Sequence, residues 1–269
     1  MMISHMLIEG GLYIAAGVFA GLMSGILGIG GGIVVVPALL MIFQHNAAIP
    51  ADSAMHIAVG TSLAIMIFTS QASVRAHYKH GDILWPIYKQ LAWGIAIGTL
   101  AGSILAVFIP TEWLKILLII FLFVVAIKMF FDRDAIHPQR TPPRWVNALV
   151  SFLIGLKSGL LGLGGGLLII PYLTFSGVDI RKIAAVSALC TMTVSLVGTM
   201  VFIITGLHVP DLPYGSLGYV YLFAVLCMAI PSSLAAPLGA RLSYILSVKQ
   251  LRYGFIVLLI VTAVNLIKS

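Results

Sequence analysis

Charged residues are scarce in this chain of 269 residues. Only 9% of the residues are Asp, Glu, Lys or Arg, whereas 61% are hydrophobic and the mean hydropathy is +1.12. A soluble domain carries roughly a quarter charged residues, so the composition excludes an ordinary soluble fold. Apolar windows such as 113–131 and 251–267 are long enough to cross about 30 Å of hydrocarbon as helices. The sequence therefore predicts an all-α polytopic membrane protein.

Cysteine and the common catalytic motifs are also nearly absent. The two cysteines, Cys190 and Cys227, lie in apolar segments, and their spacing indicates neither a disulfide nor a metal framework. The chain has no P-loop pattern and no H-E-x-x-H motif, so we expect no cofactor and no metal. The formal net charge of +7 does not indicate nucleic acid, because cations in so apolar a chain cluster in loops for topological reasons.

The chain does contain a duplicated glycine-rich element. The segment GLMSGILGIGGGIVVVP at 21–37 recurs as GLKSGLLGLGGGLLIIP at 155–171. Each glycine costs about 1 kcal/mol relative to alanine inside a helix, so three adjacent glycines should break both apolar stretches. A broken helix inside a membrane usually lines a binding site or a cavity.

The distribution of basic residues predicts the topology. Ten of the 15 Lys and Arg residues lie in four short stretches, at 75–79, 133–144, 181–182 and 241–252, whereas the loops at 44–55, 109–112 and 207–216 contain none. By the positive-inside rule, the basic stretches face the cytoplasm and the other loops face outward. The segment 145–176 must then return to its starting side, as a re-entrant hairpin with its glycines near mid-membrane. The similarity of the two glycine-rich elements predicts the same hairpin at 11–43.

We therefore predict two inverted repeats, each a glycine-broken helical hairpin followed by three transmembrane helices. The first repeat is 1–134, with the hairpin 11–43 and spans at about 56–74, 84–108 and 113–131. A cytoplasmic linker, 135–144, leads to the second repeat, 145–269, with the hairpin 145–176 and spans at about 183–206, 217–240 and 251–268. The alternative makes each glycine-rich stretch one kinked span, which gives eight crossings and parallel repeats.

Several motifs together resemble the sulfite exporter TauE/SafE family of anion permeases. They are the paired G-x-x-S-G-x-x-G-x-G-G-G-x-x-x-x-P elements, AVGTSL at 58–63, RAHY at 75–78 and APLGAR at 236–241. The similarity covers essentially the whole chain. It implies a multi-pass protein of the bacterial inner membrane that moves sulfite, sulfoacetate or a related organosulfur anion. One departure is AVSA at 185–188, where the second half lacks a Gly-Thr-Ser like that at 60–62.

The glycine tips could hold an anion without side chains. A helix that begins after three glycines presents unpaired backbone N–H groups at the positive end of its dipole. Glycine also lets an oxyanion approach the backbone closely. The candidate anion-binding glycines are Gly28, Gly30, Gly31 and Gly32 in the first element and Gly162, Gly164, Gly165 and Gly166 in the second. The alternative is that these small residues only let helices pack tightly.

Polar side chains complete the candidate site. Ser24 and Ser158 occupy equivalent positions one turn before the two tips, although helical serines commonly bond back to their own backbone. Further candidates near the starts of the following spans are Thr61, Ser62, Ser187 and Thr191. Lys157 is an ammonium in an otherwise apolar arm, so it either neutralises the anion or snorkels to the cytoplasmic surface. His56 and Asp52 form a candidate outward proton relay.

The sequence predicts a secondary transporter that exports a small anion, sulfite or an organosulfonate, by alternating access, with proton coupling as a further hypothesis. The alternative is a passive anion channel that uses the same glycine-rich site. An intramembrane enzyme is disfavoured, because the eight Asp and Glu residues lie in loops or at span ends. The expected partners are the anion and membrane lipids, without nucleic acid. A homodimer is one assembly that the sequence allows.

Overall fold

The computed structural model describes residues 2–27, 31–44, 46, 48–79, 83–131, 143–176, 178, 180–245 and 248–268. Within these residues the chain forms α-helices and one small β-hairpin. The helices are α1 (Met2–Leu27), α2 (Gly32–Phe43), α3 (Ala54–Lys79), α4 (Trp85–Phe108), α5 (Thr111–Phe131), α6 (Arg144–Leu161), α7 (Gly166–Phe175), α8 (Ile180–Gly206), α9 (Leu222–Ile245) and α10 (Val248–Lys268). The strands are β1 (Ser216–Leu217) and β2 (Val220–Tyr221), which pair antiparallel, and a 3-10 turn spans Ala51–Ser53.

Several helices are suited to a bilayer. Four segments of the described chain are long and apolar enough to cross a membrane, Ala51–Arg75, Trp85–Phe108, Lys182–Gly206 and Leu222–Gly239. α5 and α10 cover the other two predicted spans as helices of 21 residues each. The prediction of an all-α protein with several apolar helices is therefore confirmed.

At two places the helix bounds differ from the approximate bounds predicted from the sequence. α1 already begins at Met2 rather than at residue 11. The span predicted to begin at 217 begins at Leu222, because the preceding residues form the β-hairpin. Gly215 and Gly218, with φ of 81° and 57°, allow the chain to turn there, and an apolar composition alone does not reveal such a turn.

Helices end at both glycine-rich elements. α1 ends at Leu27, and α2 begins after Gly31, which has φ of 75°. α6 ends at Leu161, and Gly162 follows it with φ of 68°. Positive φ is costly for residues with a Cβ, which explains why the helix after each break starts within or just after the glycines. The predicted site residues Gly28 and Gly30 lie outside the described residues.

The two helices on either side of each break have their far ends close together. Asn46, just after α2, donates a hydrogen bond from Nδ2 to Oε2 of Glu9 in α1 over 3.2 Å. Tyr172, in the last turns of α7, donates its hydroxyl proton to Oδ1 of Asn147 in the first turn of α6. Each glycine-rich element therefore turns the chain back toward the end of the molecule from which it came.

Close glycine contacts join the halves of the chain. α1 packs along α9 and α4 along α6, and both pairs run parallel. A Cβ on Gly17 would lie 2.8 Å from the carbonyl oxygen of Met228, and a Cβ on Gly98 would overlap the carbonyl oxygen of Phe152. Small residues allow such close backbone approach between membrane helices, where packing rather than hydrophobicity drives association.

α3 and α8 form the centre of the molecule and run antiparallel. Gly60 of α3 lies against Phe202 of α8, whereas Gly198 lies against Leu63. Every residue from Met55 to Met66 is buried, so this half of α3 is the core around which the other helices pack.

The two ends of the molecule differ in charge. We call the end that carries the exposed residues Arg75, Arg144 and Lys182 the basic end. The end that carries β1 and β2 is the strand end. α3 runs from the strand end to the basic end, and α8 runs the other way.

Candidate functional site

The two glycine tips are in direct contact. A Cβ placed on Gly32 would lie 2.8 Å from the carbonyl oxygen of Gly162 and 3.1 Å from the nitrogen of Gly164. A Cβ on Gly162 would lie 2.9 Å from Cα of Val59, so the second tip also packs on the core half of α3. Residues predicted from both repeats are thus brought to one point. In this conformation no anion fits between Gly32 and Gly162.

The short helices that follow the tips lack side-chain caps. Gly31 and Gly165 are the N-cap residues of α2 and α7, and neither position carries a side-chain hydrogen bond. The first helical hydrogen bonds run from the N–H of Val34 to the carbonyl of Gly31 in α2 and from the N–H of Leu168 to the carbonyl of Gly165 in α7. The N–H groups before Val34 and Leu168 in these helices therefore have no partner within the helix. Helices of 12 and 10 residues thus direct the positive ends of their dipoles toward the region of contact.

A cavity of about 40 Å³, with hydroxyl side chains in its lining, lies between α1, α3 and α8. Its described lining residues are Ser24, Thr69, Ser70, Ser73, His77, Ala184, Ala188 and Thr191. The volume corresponds to about three water molecules. Ser24 joins the cavity to the first tip, because its Cβ lies 3.4 Å from the position of a Cβ on Gly31. The other lining residues follow α3 and α8 toward the basic end.

The cavity contains two residues that the sequence analysis selected, Ser24 and Thr191. The hydroxyl residues of α3, Thr69, Ser70 and Ser73, are not among the residues predicted from the sequence. A detectable signal was present, because residues 69, 70, 73 and 77 recur at helical spacing and share one face of an otherwise apolar span.

Thr61 and Ser62 are engaged in hydrogen bonds that hold the fold. Thr61 Oγ1 accepts the backbone N–H of Tyr221 over 3.0 Å. Ser62 Oγ donates to the carbonyl oxygen of Gly162 over 3.0 Å. Ser62 therefore ties the second tip to α3, and Thr61 ties β2 to the same helix.

Three further predicted residues are buried without a hydrogen-bond partner in the described part of the chain. They are Ser158, Ser187 and Lys157. The Oγ atoms of both serines and the Nζ atom of the lysine are inaccessible to solvent. Lys157 Nζ lies 4.5 Å from the ring centroid of Phe121 in α5, within cation–π distance. The snorkelling alternative for Lys157 is wrong, because its ammonium is enclosed rather than at the surface.

The predicted proton-relay residues meet at the strand end through Thr111. His56 is 6% exposed, with Nε2 3.1 Å from the carbonyl oxygen of Ala106 and Nδ1 3.4 Å from Oγ1 of Thr111. Thr111 donates its hydroxyl proton to the backbone oxygen of Asp52. The Asp52 residue is exposed, so it joins this cluster through its backbone.

The connection between α8 and α9 is wedged against α3 at the strand end. Tyr219 is 6% exposed, its ring stacks on His56 at 5.3 Å, and its N–H donates to the carbonyl oxygen of Phe202 over 3.1 Å. A Cβ on Gly60 would lie 2.7 Å from the carbonyl oxygen of Tyr219. This wedge, residues 216–221, closes the gap between α3 and α8 at one end, while the cavity lies at the other.

Comparison with known proteins assigns the chain to a family. The family model described as Sulfite exporter TauE/SafE matches residues 13–266. The chain belongs to the sulfite exporter TauE/SafE family. Together with the apolar helices, this membership makes it a multi-pass membrane protein of a transporter family.

Relatives in this TauE/SafE family carry names that describe membrane transport. A probable membrane transporter protein of Haemophilus influenzae is 33% identical over 95% of this chain and 97% of its own length. A probable membrane transporter protein of Methanocaldococcus jannaschii is 30% identical over 90% of this chain and 89% of its own length. A Bacillus subtilis protein of the same description is 25% identical over 72% of this chain and 78% of its own length. No solved structure gives a significant match.

Proposed function

We propose that this protein is a secondary transporter that exports a small anion, sulfite or an organosulfonate, across the bacterial inner membrane by alternating access. The observation that carries the proposal is the contact between Gly32 and Gly162. It sets the N-terminus of α2 against the loop that leads from Gly162 into the N-terminus of α7. Both helices lack side-chain caps, and such N-termini are suited to stabilise negative charge in a medium of low dielectric constant. The name of the family, Sulfite exporter TauE/SafE, supports sulfur oxyanions as the substrate class.

Inverted repeats, 1–134 and 145–269 with the linker 135–144, are part of this proposal. In the two repeats, α1 corresponds to α6, α3 to α8 and α4 to α9. Exchange of the repeats therefore turns the packed pair α1–α9 into the packed pair α6–α4, and it leaves the pair α3–α8 unchanged. Equivalent helices run antiparallel in an inverted repeat and parallel in a parallel repeat. The antiparallel packing of α3 and α8 therefore supports the inverted arrangement over eight crossings with parallel repeats.

The conformation suits an inward-facing state. The positive-inside rule assigns the basic end to the cytoplasm, so the cavity beside Ser24 and Thr191 faces the cytoplasm and the wedge closes the outward side. In the outward-facing state the wedge would leave α3, and Thr61 would become free to contact the anion. A negative cell interior assists export by about 2.3 kcal/mol per charge per 100 mV, so uniport is sufficient.

Three remaining site residues have roles in this cycle. Lys157 and Ser158, beside the second tip, would contact the anion when the two tips separate, and Ser187 lies one turn before Thr191 on the same face of α8. The enclosure of their polar atoms without partners supports a function that this conformation does not satisfy. His56 and Asp52 are the candidates for proton coupling, because Thr111 links the His56 ring to the backbone of Asp52 at the strand end.

Substrate-dependent flux in proteoliposomes tests this function. The panel is sulfite, sulfoacetate, sulfate, thiosulfate and a carboxylate, each with and without an imposed pH gradient. The proposal predicts saturable flux of a sulfur oxyanion, and stimulation by the pH gradient would add proton coupling. A passive channel would instead give flux that does not saturate, and a chain that moves none of these anions would contradict the proposal.

A further inference from the structure

We infer that the cavity between α1, α3 and α8 is a second binding site for a small oxyanion, built from the hydroxyl groups of Ser24, Thr69, Ser70, Ser73 and Thr191, with the imidazole of His77 also in its lining. The inference rests on the proposed function and adds to it a site on the cytoplasmic side of the glycine tips. An anion would occupy this site while the tips are closed on each other.

The closed tips make a separate site necessary in this conformation. A Cβ on Gly32 already comes within 2.8 Å of the carbonyl oxygen of Gly162, so the space between them excludes even a methyl group. The cavity begins at Ser24, which lies beside Gly31 at the start of α2. An anion in the cavity would therefore stand next to the first tip without separating it from the second.

The chemistry of the lining favours an anion over a cation. Of the described residues around the cavity, none is Asp or Glu, and hydroxyl groups reach it from α1, α3 and α8. A hydroxyl donates one proton, and several converging donors replace part of the hydration shell of an oxyanion. A metal cation would need oxygen ligands that carry negative charge, which these residues do not supply.

The hydroxyl groups of α3 can turn toward a ligand. Thr69 Oγ1 and Ser70 Oγ lie 3.3 Å from the carbonyl oxygens of Met66 and Ile67 on their own helix. Hydroxyl donors prefer about 2.7–2.8 Å, so these two bonds are weak. By contrast, Thr205 on α8, outside the cavity, donates to the carbonyl oxygen of Val201, four residues back on its own helix, over 2.7 Å. A charged acceptor in the cavity would compete successfully for the protons of Thr69 and Ser70.

Alanines limit the size of the occupant. Ala184 and Ala188 of α8 line the cavity with methyl groups, and the remaining volume of about 40 Å³ corresponds to about three water molecules. An oxyanion with about four or five heavy atoms, such as sulfite or methanesulfonate, suits this space better than sulfoacetate. The site therefore selects small oxyanions and excludes extended ones.

Substitutions on two helices test the site. Thr69→Val keeps the shape and removes the hydroxyl, and loss of one hydrogen bond to a charged group should raise the KM for sulfite about tenfold. Ala188→Met fills the cavity and should abolish saturable binding of radiolabelled sulfite to the purified protein. Thr69→Ser should retain the wild-type KM. Thr205→Val is the matched control, because it removes a hydroxyl of the same type outside the cavity and should leave the KM unchanged.

The outcomes separate the site from the function. If wild-type protein transports sulfite and both Thr69→Val and Ala188→Met bind and transport it as the wild type does, the cavity is not a substrate site and the proposed function stands. If the wild-type protein moves no anion, the proposed function itself fails. Thermal unfolding of each purified variant ensures that a loss of binding is not a loss of folding. If Ala188→Met does not fold, the comparison of Thr69→Val with Thr69→Ser decides the question: equal KM values for sulfite in the two variants would overturn the site.

Discussion

At the scale of single residues, Gly32 is the decisive position, because without a side chain its backbone can touch the backbone of Gly162. Gly32→Ala would place a methyl group 2.8 Å from the carbonyl oxygen of Gly162, so the two tips must separate or distort. Overpacking of this kind costs about 1–3 kcal/mol. We expect a lower temperature of thermal unfolding and anion flux reduced at least tenfold.

The control for this substitution is Gly11→Ala. Gly11 is also helical, but no atom lies within 4 Å of the position that its Cβ would take. This variant should retain wild-type flux and stability. Wild-type flux in Gly32→Ala would mean that contact between the tips is not needed for transport.

A second prediction at this scale concerns Lys157. Its enclosed ammonium has no hydrogen-bond partner among the described residues, and the equivalent position of the first repeat is Met23. A charge in the membrane costs several kcal/mol, so Lys157→Met should raise the temperature of unfolding. If the charge serves the transported anion, the same variant should lose most of its flux. A stabilised variant with unchanged flux would remove Lys157 from the mechanism.

The sequence identifies some site residues and misassigns others for a physical reason. Ser24 is predicted from its position one turn before the first glycine tip and Thr191 from its place near the start of a following span, and both line the cavity. Thr61 and Ser62 are predicted in the same way as Thr191, but their hydrogen bonds go to Tyr221 and to the carbonyl of Gly162. Those partners lie 160 and 100 positions away, and no local pattern in a single sequence reveals pairs at such distances.

At the scale of helices and strands, the wedge should control access from the strand end. Thr61→Val removes the acceptor of the Tyr221 N–H, and Gly60→Ala adds a methyl group 2.7 Å from the carbonyl oxygen of Tyr219. Both changes should move the wedge away from α3. Thr61→Ser retains the acceptor and is the control.

Distances between spin labels measure this movement. The labels replace Tyr214, next to the wedge, and Glu112, at the start of α5, both exposed, after Cys190 and Cys227 have been changed to alanine. We expect a longer or broader distance distribution in Thr61→Val and Gly60→Ala than in the parent protein or in Thr61→Ser. Identical distributions in all four proteins would show that the wedge is a fixed part of the fold.

The elements themselves were predictable to different degrees. The basic stretches on both sides of 145–176 are predicted to face the cytoplasm, so this segment is predicted to return to its starting side. The hydrogen bond between Tyr172 and Asn147 agrees with such a return. The strands at 216–221 were not predictable, because each has only two residues and the segment leads without a charged residue into an apolar helix.

At the scale of the whole molecule, the duplication explains why the two glycine elements can meet. Each glycine element lies in its own half of the sequence. The corresponding helices α3 and α8 pack antiparallel against each other at the centre of the molecule, so the two halves meet there. The duplication is visible in the sequence. The cavity is not, because its shape depends on how three helices from both halves pack together.

In the proposed mechanism, the two glycine tips belong to a carrier that exposes its anion to one side of the membrane at a time. Counterflow of radiolabelled sulfite into proteoliposomes preloaded with unlabelled sulfite distinguishes such a carrier from a channel, with Gly32→Ala beside the wild type. We expect a transient, saturable accumulation of label in wild-type vesicles and its near absence in Gly32→Ala. Label that only equilibrates, at a rate that rises linearly with sulfite concentration, would rule out the carrier.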